Sequence, residues 1–154
     1  RHQRGGGASP RSAGGFARVR EATMPLTPLM TLTALVETGT GLSLLLWPAL
    51  VFDLLLGWSQ AAPETILVGR LAGAGVTSIG VACWPARRGT RSRGQLGVLV
   101  GLLTYNVLAA LVLAFAGAVL SMVGMALWPA VVYHATLAVW CAAWVRARPA
   151  GERF

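Results

Sequence analysis

The sequence predicts an all-α protein: a four-helix bundle integral to a membrane, with both termini on the cytoplasmic side. Three observations carry this. First, the 154 residues contain four apolar runs, each close to the roughly 20 residues that a helix needs to cross a bilayer. Second, 55% of residues are hydrophobic and 12% charged, with a mean hydropathy of +0.64; an average soluble domain carries about 25% charged residues. Third, the arginines gather between the runs instead of within them. Disorder is excluded, because it needs low hydrophobicity and high charge. An outer-membrane barrel is excluded, because the runs do not alternate and are about twice its strand length.

Residues 1–23 are rich in Gly, Arg and Ser and lack a hydrophobic period, so they read as a flexible basic tail. Met24 stands directly before the apolar region, so either the tail lies upstream of the true start or it is a basic arm. A signal peptide fits less well, since the first run is long, carries a Glu and is followed by no clean cleavage site. The membrane domain is expected over 24–146, followed by a basic cytoplasmic tail over 147–154.

The first span is read at about 29–47, with Glu37 as its sole formal charge. Pro48 interrupts it, and residues 49–58 are too short to cross again, so they form an interfacial helix or extend the first span. The second span, about 64–84, follows Pro63, a favourable first-turn residue, and contains Arg70. Pro85 is expected to stop it. The third span, about 96–120, carries no formal charge, and the fourth, about 125–145, contains His134. The link over 121–124 is so short that spans three and four must be antiparallel neighbours. Trp-Pro-Ala occurs at 47–49, 84–86 and 128–130. Each copy sits at a helix end, where Trp anchors the interface and Pro starts or terminates a helix, so it reads as punctuation and not as a repeat.

Lys is absent, and twelve of the 13 arginines lie in residues 1–20, 87–93 and 146–153. Four crossings put these three segments on one side, which the positive-inside rule makes cytoplasmic. The net charge of +8 therefore reports orientation. Nucleic-acid binding is excluded, because that needs basic residues interleaved with base-reading side chains on a soluble fold. The composition, heavy in Arg, Ala and Gly, points to a high-GC bacterium and hence to a bacterial inner membrane. Cys83 and Cys141 form no CxxC pair or Cys/His cluster, so no metal site is expected; both fall near the cytoplasmic ends of their spans and could approach each other.

Ionisable residues inside a membrane are costly and are candidate functional sites. Counted inward from the outer helix ends at about 1.5 Å per residue, Glu37 lies about 15 Å deep, Arg70 9 Å, Asn106 19 Å and His134 12 Å. Each span thus donates one strongly polar residue near mid-membrane, and Tyr105 adjoins Asn106. The depths predict a Glu37–Arg70 ion pair, with Tyr105, Asn106 and His134 satisfying its remaining hydrogen bonds. The cluster is either a buried network that sets helix register or a ligand site or proton relay. A single intramembrane His does not make a haem site. Gly69 with Gly73, and Gly97 with Gly101, form GxxxG pairs that let backbones approach, for packing inside one subunit or in a homo-oligomer. No Ser/His/Asp arrangement is readable, so no catalytic residue is assigned.

Two resemblances add to this reading. Glu37 in mid-span, followed ten residues later by the run Leu46-Trp47-Pro48-Ala49, resembles the small multidrug-resistance transporters, whose first-helix Glu exchanges protons for cationic drugs. That likeness covers about residues 30–50, and Arg70 departs from it. Arg70 and Gly73, opening the Gly-rich second span, resemble the small four-helix bacterial membrane proteins grouped around DoxX, one of which is a partner subunit of a quinone-linked oxidoreductase. Three functions follow as expectations. The first is an accessory or assembly subunit of a larger membrane complex, without enzymatic activity. The second is a proton-coupled transporter using Glu37. The third is a quinone-binding oxidoreductase component, with His134, Tyr105 and Arg70 on the head group. The lipid bilayer is the expected surrounding partner, and quinone is the one cofactor that any of these readings brings in.

Overall fold

The computed structural model describes residues 26–88 and 92–147. The predicted basic tail, the candidate start at Met24 and most of the C-terminal tail lie outside the described residues. Within them the chain is helical, in the order α1 (Leu26–Leu46), α2 (Pro48–Leu56), α3 (Pro63–Ala86), α4 (Arg93–Ala118) and α5 (Leu127–Arg146). Four of these, all but α2, are long and apolar enough to cross a membrane.

The interruption at Pro48 produces a separate short helix and not an extension of α1. Pro48 occupies the first turn of α2, and Gly57 caps its end at φ 74°, a left-handed conformation that glycine adopts without steric cost. Pro63 opens α3 as its missing N–H favours. Pro85 does not stop α3, which runs on to Ala86. One lost hydrogen bond in the final turn, where Arg87 N–H still reaches the Cys83 carbonyl at 3.1 Å, is not enough to end the helix earlier. Ser92 caps α4, its hydroxyl accepting from the Gln95 N–H at 3.2 Å, the arrangement that satisfies an orphan first-turn donor.

The helices associate as two close pairs, α1 with α3 and α4 with α5. At the end bearing Arg87, Arg88, Arg93 and Arg146, called here the arginine end, the pairs share a core of Leu29, Met30, Cys83, Leu99, Leu137 and Cys141. Polar ties close that end. Gln95 Nε2 donates to the Ala86 carbonyl at 2.9 Å, and Thr27 Oγ1 donates to the Arg87 carbonyl at 3.2 Å. The Arg87 guanidinium lies 3.4 Å over the Trp84 ring.

At the opposite end, α2 is clamped onto the segment before α5. Ala126 N–H donates to the Leu54 carbonyl at 2.8 Å, and Gly124 lies so close to the Leu54 and Leu55 backbone that a Cβ would collide with it. In this way α2 covers part of the space where the two helix pairs diverge.

The α1–α3 contact is a backbone-to-backbone approach. A Cβ on Gly41 would stand 2.8 Å from the Gly73 carbonyl, one on Gly73 2.7 Å from the Gly41 carbonyl, and one on Gly80 2.6 Å from Thr38 N. Gly69 meets the Phe52 ring of α2. Gly97 and Gly101 differ: a Cβ on either would meet nothing within 4 Å. Gly73→Ala or Gly80→Ala is therefore expected to destabilise the folded protein by about 1–3 kcal/mol, the usual range for overpacking. Gly101→Ala should be neutral or slightly stabilising, since it adds helix propensity of up to about 1 kcal/mol. Unfolding of the three variants in one detergent tests this; equal losses at Gly73 and Gly101 would contradict it.

Candidate functional site

The polar residues of α1, α4 and α5 meet at mid-bundle. Glu37 is 2% exposed and Asn106 0%, so both are removed from any solvent. Tyr105 Oη donates to Glu37 Oε2 at 3.0 Å. His134 Nδ1 lies 2.9 Å from Asn106 Oδ1, and Asn106 Nδ2 donates to the Leu102 carbonyl one turn back at 2.8 Å. The His134 ring stands edge-on to two tyrosines, Tyr105 at 5.5 Å and Tyr133 at 5.1 Å between centroids, a favoured aromatic geometry.

Arg70 does not join this group. It is exposed on α3 and makes no ion pair among the described residues. The predicted Glu37–Arg70 pair is therefore replaced by the Glu37–Tyr105 hydrogen bond. The reason is both azimuthal and axial. Arg70 follows Gly69, and consecutive helix positions point about 100° apart. With Gly69 turned inward against α2, Arg70 is turned away. The register separates the two as well: Gly69 packs on Pro48 and Gly73 on Leu44, which sets Arg70 level with the end of α1, roughly 12 Å along that helix from Glu37 at about 1.5 Å per residue.

Glu37, Tyr105, Tyr133 and His134 form the polar side of a cleft of about 660 Å³ between α1, α2, α4 and α5. That volume is within the roughly 300–1,000 Å³ range of small-molecule sites. Thr40 and Ser43 of α1 add hydroxyls, and its other walls are apolar, from Leu50, Val51, Leu54 and Leu55 of α2, Leu113 of α4 and Pro129 of α5 among others. No Arg lines it. Two of its polar atoms, Glu37 Oε1 and Tyr133 Oη, are buried with no hydrogen-bond partner. A network built only to hold helices together is expected to satisfy its members, because a half-satisfied one costs more than an apolar core. Thr33 Oγ1 and Trp140 Nε1 are likewise unpartnered, nearer the arginine end.

Sequence reasoning missed Tyr133 and the contribution of α2. Tyr133 adjoins His134 and could have been weighed with it. The role of α2 carried no sequence signal beyond its length, since apolar residues there suit a membrane surface equally well. Among the described residues no three of His, Cys, Asp and Glu gather as metal ligands would. Cys83 and Cys141 are both buried free thiols of the shared core.

The chain matches no protein-family model, no curated protein and no solved structure, so its function is argued from this geometry.

Double-mutant cycles test the partner exchange. Glu37→Gln with Arg70→Gln should be additive within about 0.3–0.5 kcal/mol, as for non-contacting sites. Glu37→Gln with Tyr105→Phe should show a coupling of about 0.6 kcal/mol, the average for hydrogen bonds within membranes. A coupling confined to the Arg70 cycle would reinstate the ion pair. Asn106→Leu should cost more than Tyr105→Phe, about 1–3 kcal/mol, because it strands a buried His134 nitrogen; unfolding in the same detergent reads the order.

Proposed function

We propose that the chain is a small multi-pass protein of a bacterial inner membrane that binds a lipid-soluble small molecule in the cleft and exchanges it against protons at Glu37. One observation carries this reading: a carboxyl group 2% exposed, beside a cleft, with one oxygen held by Tyr105 and the other unpartnered. A buried group left without a partner costs about 1–3 kcal/mol, which a ligand bearing the complementary group would recover. Among the described residues no Arg stands in the cleft walls, which favours it further, since an Arg there would repel a cationic substrate. The likeness of the first span to proton-exchanging transporters is consistent with it, and the positive-inside rule places the arginine end in the cytoplasm.

The exposed Arg70 favours a second reading, an accessory subunit of a membrane complex in the manner of the DoxX-like proteins. Arg70 sits about 10 Å along α3 with no partner among the described residues, and an acidic group on another subunit would supply one.

Native mass spectrometry of the protein extracted gently from its own membranes separates the two. Binding predicts a small-molecule mass on the wild type that Glu37→Gln removes. A stable heteromeric assembly, lost in Arg70→Gln and carrying no small molecule, supports the accessory reading instead.

A further inference from the structure

The hydrogen-bond chain behind the cleft determines what kind of polar group the cleft can receive, an inference that rests on the ligand reading above. The chain starts at the Leu102 carbonyl, which can only accept. Asn106 must therefore present Nδ2 to it, at 2.8 Å; the flipped amide would set oxygen against oxygen. This leaves Oδ1 facing His134 Nδ1 at 2.9 Å. An amide oxygen can only accept, so Nδ1 carries the proton. In the neutral ring Nε2 is then a lone-pair acceptor. His134 lines the cleft, and Nε2 has no partner among the described residues.

The same accounting applies to Glu37. Tyr105 spends its single proton on Oε2, so Oε1 is an acceptor awaiting a donor whenever the group is ionised. Tyr133 Oη, also unpartnered, can donate or accept. The cleft thus offers two acceptors, the Tyr133 hydroxyl and, from α1, the hydroxyls of Thr40 and Ser43, of which Ser43 already donates to the Gly39 carbonyl at 2.9 Å; it carries a single negative charge and, among the described residues, no Arg, on an otherwise apolar wall.

We infer that the cleft selects a ligand whose polar end donates hydrogen bonds, and that this end is a primary ammonium on a hydrocarbon body. An alkylammonium brings three N–H donors and the charge that the lone carboxylate lacks. Its body suits the leucine and proline walls. A quinone or other ketone brings only acceptors and would face Nε2 and Oε1 with like dipoles. Oε1 is buried on a residue that lines the cleft, and the broad terminal torsion of a Glu side chain lets it turn to meet the ligand.

The test uses three molecules of one skeleton on the full chain in lipid nanodiscs, followed by calorimetry: 4-phenylbutylamine, its N,N,N-trimethyl analogue and the corresponding methyl ketone. The amine is expected to bind at least about tenfold tighter than the other two, because it alone can donate charge-assisted hydrogen bonds to the acceptors of the cleft. Glu37→Gln should erase the preference. Equal binding of amine and trimethyl analogue would overturn the inference in favour of charge alone. Tighter binding of the ketone would overturn it outright, as would failure of all three to bind; the ligand reading itself would then stand or fall by the native mass spectrum. Nitrogen NMR of labelled histidine provides an independent check. The Nδ1–H tautomer is expected at His134 in the wild type, with its loss in Asn106→Leu, whereas an Nε2–H tautomer in the wild type would also overturn the inference.

Discussion

The approach of α1 to α3 over their glycines is the contact on which the remaining geometry depends. Between helices in lipid there is little hydrophobic drive to associate, so close packing must supply the attraction. Gly41, Gly73 and Gly80 permit backbone approach at which a single Cβ would collide. Locking Gly41 against α3 also aims Glu37. Four residues along a helix is about 40° of rotation, so Glu37 falls beside the glycine face, turned toward α4 and α5. Gly69, held against α2, turns Arg70 outward by the same logic.

The pairing α1–α3 and α4–α5 leaves the two pairs joined at one end and parted at the other. Near the arginine end they share an apolar core and are tied by Gln95, while Thr27 joins α1 to the end of α3 within its own pair. Toward α2 they diverge, and the gap becomes the cleft. Its polar wall falls where the core gives way to open space. That position explains how Glu37 can be almost wholly buried yet stand next to a volume large enough for a small molecule. α2, fastened to the segment before α5 by the Ala126–Leu54 hydrogen bond, covers part of the opening with leucines.

The polar chain from Leu102 through Asn106 to His134 has a different character from the Glu37–Tyr105 contact. Each of its links is a donor meeting an acceptor, and together they orient one imidazole. Glu37 and Tyr133 retain unpartnered atoms. A satisfied positioning chain behind two unsatisfied groups is the arrangement expected of a binding site, where rigid supporting bonds hold groups whose own partners arrive from outside.

Helix number, approximate boundaries and the short α4–α5 connection were legible in the sequence, because an apolar environment demands long uninterrupted helices whose backbone groups satisfy themselves. The short helix after Pro48 was legible as one of two alternatives. The relative height of Glu37 and Arg70 was not legible, because it depends on the register in which Gly69 and Gly73 pack against Pro48 and Leu44. The tertiary structure decided which polar residues meet. Azimuth depends on which helix lies beside which, and apolar sequences turned toward lipid or toward a neighbour look alike. Hence Tyr105 and not Arg70 became the partner of Glu37. For the same reason one GxxxG pair, Gly69 and Gly73, is packed inside the subunit, while Gly97 and Gly101 remain open.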